Sequence, residues 1–394
     1  MKLVKSGSRD TELLHKIAVI SSLLSLVAMV SMSSIASNVY AQAEPQFNDP
    51  AGVATDSSGN AYVADTFNQR IQKFRNDGTF IRMWGSQGSE DGQFSFPFGI
   101  AVDSSGNVFV VESQNNRVQK FTNTGTFIRK WGSAGLGDGQ FDNPIGIGVD
   151  SKGNVFVTDA DNFRIQKFTN TGTFITKWGN LYGNGTFSDP RHLAVDSSGN
   201  VYIADYMNNR IQKFRNDGTF IRKWGTPGSG NGQFNLPISV AVDSSGNVFV
   251  SDRENNRIQK FTNTGIFIRK WGSSGTGNGN FNEPFGVAVD PSGNVFVADQ
   301  NNNRIQKFTN TGTFITKWGT FGTMSLASKT ESLPSPSGDQ LNASGAEQLN
   351  ASQNTKSIDT QDETASEFPS VSATNPPQNT KSIDTEDETA SEFP

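Results

Sequence analysis

FSFPFGIAVDSSGNVFVVESQNNRVQKFTNTGTFIRKWG, running from Phe94 to Gly132, holds four short apolar or alternating runs divided by three turns. Phe98 to Val102 is apolar and partly β-branched, and it stops at Asp103. Ser104-Ser105-Gly106-Asn107 then supplies a turn in which Gly106 is free to take positive φ, as a bulged hairpin requires. Val108 to Val111 is apolar on both faces. After the polar Ser113 to Asn116, the run Arg117 to Phe121 alternates polar with apolar, the pattern of a half-buried strand. Thr122 to Gly125 turns the chain again, and Phe127 to Trp131 forms a fourth strand. The stretch reads as a four-stranded antiparallel meander with its innermost strands the most apolar.

The stretch recurs. Tryptophan stands at 84, 131, 178, 224, 271 and 318, a period of 47 residues with one interval of 46. Phe47, Phe94, Phe141, Phe187, Phe234 and Phe281 keep the same beat. So do the acids Asp65, Glu112, Asp159, Asp205, Asp252 and Asp299, each five residues before an Arg. A fixed period of this length marks a solenoid, propeller or array. A strand buried on both faces needs a sheet on either side, which radial repetition around an axis provides for every copy. The expected fold is all-β: a six-bladed β-propeller of four-stranded antiparallel blades, beginning near residues 47, 94, 141, 187, 234 and 281. The first copy starts with its inner strand near Pro50 and the sixth ends with its outer strand at Trp318. Closure is therefore expected by packing of blade 1 on blade 6, without strand exchange. The five aromatics of each copy (Phe94, Phe109, Phe121, Phe127 and Trp131 in the second) are expected to pack between blades, each burying about 150–250 Å².

The repeats occupy residues 44–323. Residues 1–43 have the pattern of an export signal: Lys2, Lys5, Arg9 and Lys16, then an apolar run from Ile17 to about Val30, then Ala41-Gln42-Ala43 as a small-x-small cleavage motif. The competing reading is an uncleaved membrane anchor, since Ile17 to Ala36 is long enough to cross a bilayer. Both place the repeats outside the cytoplasm, secreted or at the cell surface. Residues 324–394 form an acidic tail with 3 Lys+Arg against 12 Asp+Glu, and NTKSIDTQDETASEFP at 354–369 returns nearly verbatim at 379–394. So few apolar residues cannot offset ordering entropy, and disorder is expected. Asn184, Asn342 and Asn350 sit in glycosylation sequons. The chain has no cysteine, which removes disulfides, thiol catalysis and thiolate metal sites. Residues 44–323 carry 26 Lys+Arg against 24 Asp+Glu, a balance that argues against a nucleic-acid groove.

The unit P-x-G-[VI]-A-V-D-x-x-G-N-V-[FY]-V-x-D-x-x-N-x-R-I-Q-K-F resembles the NHL repeat, a family of β-propellers, and the likeness covers residues 47–320 in six copies. The resemblance implies a propeller. Members outside the cytoplasm include binding scaffolds, related propellers include lyases and lactonases, and others bind RNA or protein partners inside cells, so it specifies fold more narrowly than function. In related propeller lyases, histidines near the position of His192 contribute to catalysis.

Residues identical in every copy serve the fold. The recurrent acid–Arg pairs, Asp65 with Arg70 and their equivalents, are read as turn braces. So are Asp56, Asp103, Asp150, Asp196, Asp243 and Asp290, each heading a turn. Function is sought where copies differ, in the loops joining second to third strand and in the blade-entry segments after each Pro, which share one rim. The non-repeating aromatic or charged residues there are Phe67, Phe98, Arg191, His192, Tyr206, Met207, Arg253 and Phe285, expected around the mouth of the central channel as ligand- or partner-binding residues. His192, alone among mature-chain histidines, and Arg191 are the weak catalytic candidates. Asp49, Asp189 and Glu283 precede blade-entry prolines and are the candidates for a calcium site; no other cofactor is expected. The leading expectation is a monomeric exported scaffold for an extracellular protein or small ligand. The alternatives are an extracellular lyase or lactonase-like hydrolase, and a structural cell-envelope protein held by its tail.

Overall fold

Asp103 shows how one copy folds. Its Oδ1 accepts hydrogen bonds from the Ser105 and Asn107 backbone N–H groups at 2.9 and 2.8 Å, and its Oδ2 accepts one from Asn107 Nδ2 at 2.8 Å. The side chain thus ties the hairpin between Pro97–Val102 and Val108–Glu112. Arg117–Phe121 and Phe127–Trp131 complete the sheet. The computed structural model describes residues 45–179 and 185–322, and it contains six such sheets, each made of four consecutive antiparallel strands. No α-helix occurs among the described residues; Gln300–Asn302 is a single 3-10 turn. The leader, the tail and Asn184, Asn342 and Asn350 lie outside the described residues.

The acid–Arg pairs are braces, and they also anchor each blade's entry segment. In the third blade Arg164 Nε donates to Asp159 Oδ2 at 2.6 Å, and its terminal nitrogens donate to the Leu136, Gly137 and Gln140 carbonyls. Asp159 Oδ1 accepts the Asp142 N–H at 2.7 Å, and Gln166 Nε2 joins the Gln140 carbonyl to the same carboxylate. The acid is fully buried in all six blades and its Arg lies 2.6 Å away in each. Paired and hydrogen-bonded in this way, the buried charge is tolerated.

Blades join through two repeated contacts. The Trp of each blade lies against the turn Gly of the next: a Cβ on Gly125 would come within 2.7 Å of the Trp84 ring, so only glycine fits. The equivalent place at the seam pairs Trp318 with Gly78. Beside this, an Asn from the next blade links an Asp and a Lys of the blade before: Asn170 Nδ2 donates to Asp103 Oδ2 at 3.2 Å and Asn170 accepts from Lys120. Asn76, Asp290 and Lys307 make the same link between blades 6 and 1. The repeated aromatics fill the space between sheets, as expected; Phe109, Phe141 and Phe168 share one buried cluster with Trp131 and Phe174 packed on it.

The last sheet is built from Pro284–Val289, Val295–Asp299, Arg304–Phe308 and Phe314–Trp318, so no blade borrows a strand from the other terminus. Packing is not the whole of closure, however. Gln46–Phe47 pairs in parallel with Thr320–Phe321, outside any blade. The pairing repeats the parallel bridges Gln87 to Phe94 and Ala134 to Phe141 inside intact connectors. The two ends therefore rebuild a sixth connector across a break in the chain.

Inner strands stand side by side around the axis. Gly99 makes this approach feasible, because a Cβ there would sit 2.5 Å from the Ile145 carbonyl oxygen of the next blade.

Candidate functional site

Hydrogen bonds hold the variable loops and the blade-entry segments together on one rim. The Phe67, Ser113 and Glu254 N–H groups donate to the Asn48, Phe96 and Asn235 carbonyls at 3.1, 3.1 and 3.2 Å. The residue before each entry Pro has positive φ: Asp49, Phe96, Asn143, Asp189, Leu236 and Glu283, at 51–58°. This left-handed geometry is uncommon for such residues. It is held at five junctions by an amide side chain of the preceding blade, as where Asn303 Oδ1 accepts the Asp49 N–H at 2.9 Å and Gln69 Oε1 accepts the Phe96 N–H at 2.7 Å. Phe163 stands at this place in blade 3 and cannot accept such a bond.

The inner strands are so close that bulky side chains of different blades meet on this rim. Tyr206 and Phe285 join Ala51 and Ile238 in one buried cluster, with Phe98 and Leu236 packed against it. Phe285 stacks on Phe98 at 5.9 Å and meets His192 edge-on at 5.3 Å. Phe98 stacks on Phe96, which meets Phe67 edge-on at 5.4 Å. Blades 1, 2, 6 and 4 are thus joined by a continuous aromatic line. Of the residues expected around the channel mouth, His192, Tyr206 and Phe285 are buried, while Phe67 at 39% and Met207 at 57% are exposed. Arg191, Arg253 and Phe98 are half-buried.

His192 is a poor base in this setting. Burial, with Arg191 adding to it, drives its pKa down to about 3, so the imidazole is neutral over the physiological range. Its Nε2 is buried without a hydrogen-bond partner. Arg191 does not face it as a catalytic partner; the guanidinium pairs with Asp189 at 2.6 Å and lies over the Tyr206 ring at 4.9 Å. Burial pushes the Tyr206 hydroxyl up, against the pull of Arg253 and Arg191.

The three calcium candidates, Asp49, Asp189 and Glu283, lie on this rim, with Glu283 close enough to act on Asp49. No group of three or more His, Asp or Glu residues among the described residues could hold a metal ion. Asp189 is paired with Arg191, and Glu283 with Arg253. Burial raises the Asp49 pKa to about 6, with Arg253 opposing, Glu283 adding and a hydrogen bond from Gln300 lowering it. The physical reason is that each carboxylate already has a partner: Asp189 has Arg191 of its own blade, Glu283 has Arg253 of blade 5, and Asp49 has Gln300 of blade 6.

Two cavities flank the molecule's axis region. One, about 390 Å³, lies on this rim, lined by Asn48, Asp49, Phe67, Gln300, Asn301 and Asn303. The other, about 260 Å³, is at the opposite ends of the inner strands, lined by the turns headed by Asp56, Asp103, Asp243 and Asp290. Those four carboxylates accept turn N–H groups and, for Asp103, Asp243 and Asp290, the Asn of the neighbouring blade as well.

The repeat unit, the blade it forms and the brace inside it match one family model, the NHL repeat, at residues 47–74, 94–121, 141–168, 187–214, 234–261 and 281–308. The chain is an NHL-repeat propeller. Among solved structures it is similar to a streptogramin B lyase, at 18% identity over 71% of this chain and 85% of that one, with a TM-score of 0.52. It is also similar to a Bacteroides thetaiotaomicron protein of unknown function, at 17% identity over 68% and 71% of the two chains, with a TM-score of 0.55. At such identities the likeness is one of fold. No curated protein matches the sequence.

In this NHL propeller Phe96 and Leu236 join the rim without having been singled out from the sequence, and Gln300, one of the variable rim positions, lines a cavity. Phe96 and Leu236 occupy the entry position held by acids in three blades, so their aromatic and aliphatic character was a readable departure. Gln300 follows the brace acid, where other blades carry Thr66, Ser113, Ala160, Tyr206 and Arg253; nothing in its residue type announced a cavity.

Proposed function

We propose that this NHL propeller is a binding scaffold that takes an extracellular protein or small ligand on the rim carrying its non-repeating residues. One observation carries the reading: the repeated residues are occupied by braces, turns and inter-blade links, while the variable ones collect in two connected arrays on a single face. The aromatic array is Phe67, Phe96, Phe98, Phe285 and His192. The charged array is Asp189 with Arg191 and Arg253 with Glu254 and Glu283, two groups that meet at Tyr206, whose ring lies under Arg191 and whose hydroxyl is hydrogen-bonded by Arg253. Aromatic and Arg side chains are the types that dominate binding energy at interfaces. The leader-like residues 1–43 support a place outside the cytoplasm for that face. A lyase or hydrolase built on His192 and Arg191 has less support, since the imidazole is sealed in the plug and Arg191 is paired with Asp189.

The test is capture of a partner from the extracellular fraction by the parent chain and by a triple variant, Phe67→Ala, Arg191→Ala and Met207→Ala. Each substituted side chain is exposed or half-exposed, so the fold should survive. The reading expects capture to fall at least about tenfold, or 1.4 kcal/mol; equal capture would overturn it.

A further inference from the structure

We propose that the rim cavity at the ring-closure seam binds a carbohydrate, one hexose-sized ring lying on Phe67 with its hydroxyls on the Asp49, Gln300, Asn48 and Asn301 side chains. The proposal rests on the reading of this rim as the ligand-binding face, and it names the ligand class.

The cavity, about 390 Å³, falls within the ~300–1,000 Å³ typical of small-molecule sites. Its walls come from the two ends of the repeat region: Asn48, Asp49 and Phe67 from blade 1, and Gln300, Asn301 and Asn303 from blade 6. Gln300 is 5% exposed, and its side-chain carbonyl oxygen is buried with no partner. Buried polar atoms are almost always hydrogen-bonded, so an orphan oxygen on a residue of the cavity wall is a candidate acceptor for a ligand's donor. Asp49 beside it is a second acceptor, and its backbone N–H is already held by Asn303. Among the described residues the Asn48 and Asn301 side chains make no hydrogen bond, and each amide offers two donors and an acceptor. Phe67 is 39% exposed and fixed edge-on by Phe96 at 5.4 Å.

An aromatic face bordered by planar amides and a carboxylate suits a neutral ligand whose hydroxyls both donate and accept and whose ring has an apolar C–H face. An organic anion would meet Asp49 and, near it, Glu283. A bare cation would feel Arg253 and leave the amide N–H groups unused. A flat apolar molecule would leave the Gln300 carbonyl and both Asn amides unpaired. The combination is also specific to this seam: Phe67 is replaced by Gln114, Asp161, Met207, Glu254 and Asn301 in the other blades, and no other blade has Gln at the position of Gln300.

Saturation-transfer NMR and calorimetry on the purified chain, with glucose, galactose, mannose and N-acetylglucosamine as probes, test the proposal. At least one sugar should bind, and Phe67→Ala and Asn301→Ala should each weaken it at least about tenfold with unchanged thermal melting. If no sugar binds, or both variants bind as tightly as the parent, the proposal is overturned. A variant with Arg191→Ala and Met207→Ala, leaving Phe67 in place, separates the two outcomes: no sugar binding while this variant still loses partner capture removes the carbohydrate proposal alone, whereas no sugar binding and unchanged capture removes both.

Discussion

At the scale of single residues, a group's surroundings outweigh its type. His192 is the residue type most suited to acid–base work near neutral pH, yet its side chain edges Phe285 inside an apolar plug and its pKa falls to about 3. The consequence appears in stability. The unfolded chain binds a proton at His192 below about pH 6.5 and the folded chain does not, so the stability this residue contributes is full above that pH and lost as pH falls toward 3. Between pH 7.5 and 4.5 the loss is about 3 kcal/mol at 1.36 kcal/mol per unit. His192→Gln, which cannot titrate, should therefore show a flatter acid-side decline than the parent when denaturant midpoints are measured across this range. Parallel declines in the two proteins would refute the buried neutral imidazole. His192 could be picked out as a departure from the Gly of sister blades, but its burial could not, because the covering ring of Phe285 comes from two blades away.

At the scale of elements, the inner strands show what glycine contributes. The repeat has Gly two residues after the entry Pro in blades 1, 2, 3 and 6, which periodicity made visible; its purpose, contact with the next blade's backbone, is a tertiary fact. Gly99→Ala would press a methyl group against the Ile145 carbonyl oxygen at 2.5 Å. The expected result is a loss of about 1–3 kcal/mol, typical of overpacking, measured by chemical denaturation. A neutral substitution would mean the inner strands separate readily. Blades 4 and 5 carry His192 and Ser239 at this position, and Ser239 Oγ accepts the Val287 N–H at 3.2 Å, so a side chain there bridges to the next strand. Strand positions to within one residue, the three turns and the acid–Arg brace were legible, because each is local and repeated six times. The pairing of Asn170 with Lys120 and Asp103 was not, since it joins residues of different blades.

At the scale of the whole molecule, every blade is made of consecutive strands, and the ends of the repeat region pair through Gln46–Phe47 and Thr320–Phe321 beside the packed seam of blades 1 and 6. A circular permutant should therefore fold. Joining residue 322 to residue 45 by a short linker and opening the chain in the exposed Leu136–Asp138 connector leaves all six blades intact. Its melting temperature is expected within a few degrees of a non-permuted chain of the same residues; a shift of more than about 8 °C, the order of 2 kcal/mol or more for a domain of this size, would show that closure depends on chain continuity at that connector. The linker changes loop entropy only slowly with length, so it does not mask the result.

Period, blade count, strand order and closure without a borrowed strand followed from the chain alone, because a 47-residue beat repeats the same local chemistry and each meander must bury both faces between two others. The contents of the axis, the pairing of each rim carboxylate and the cavity at the seam were decided only when six blades met. Apart from the local Asp189–Arg191 pair, those features join side chains from different blades across a distance that no spacing along the chain encodes.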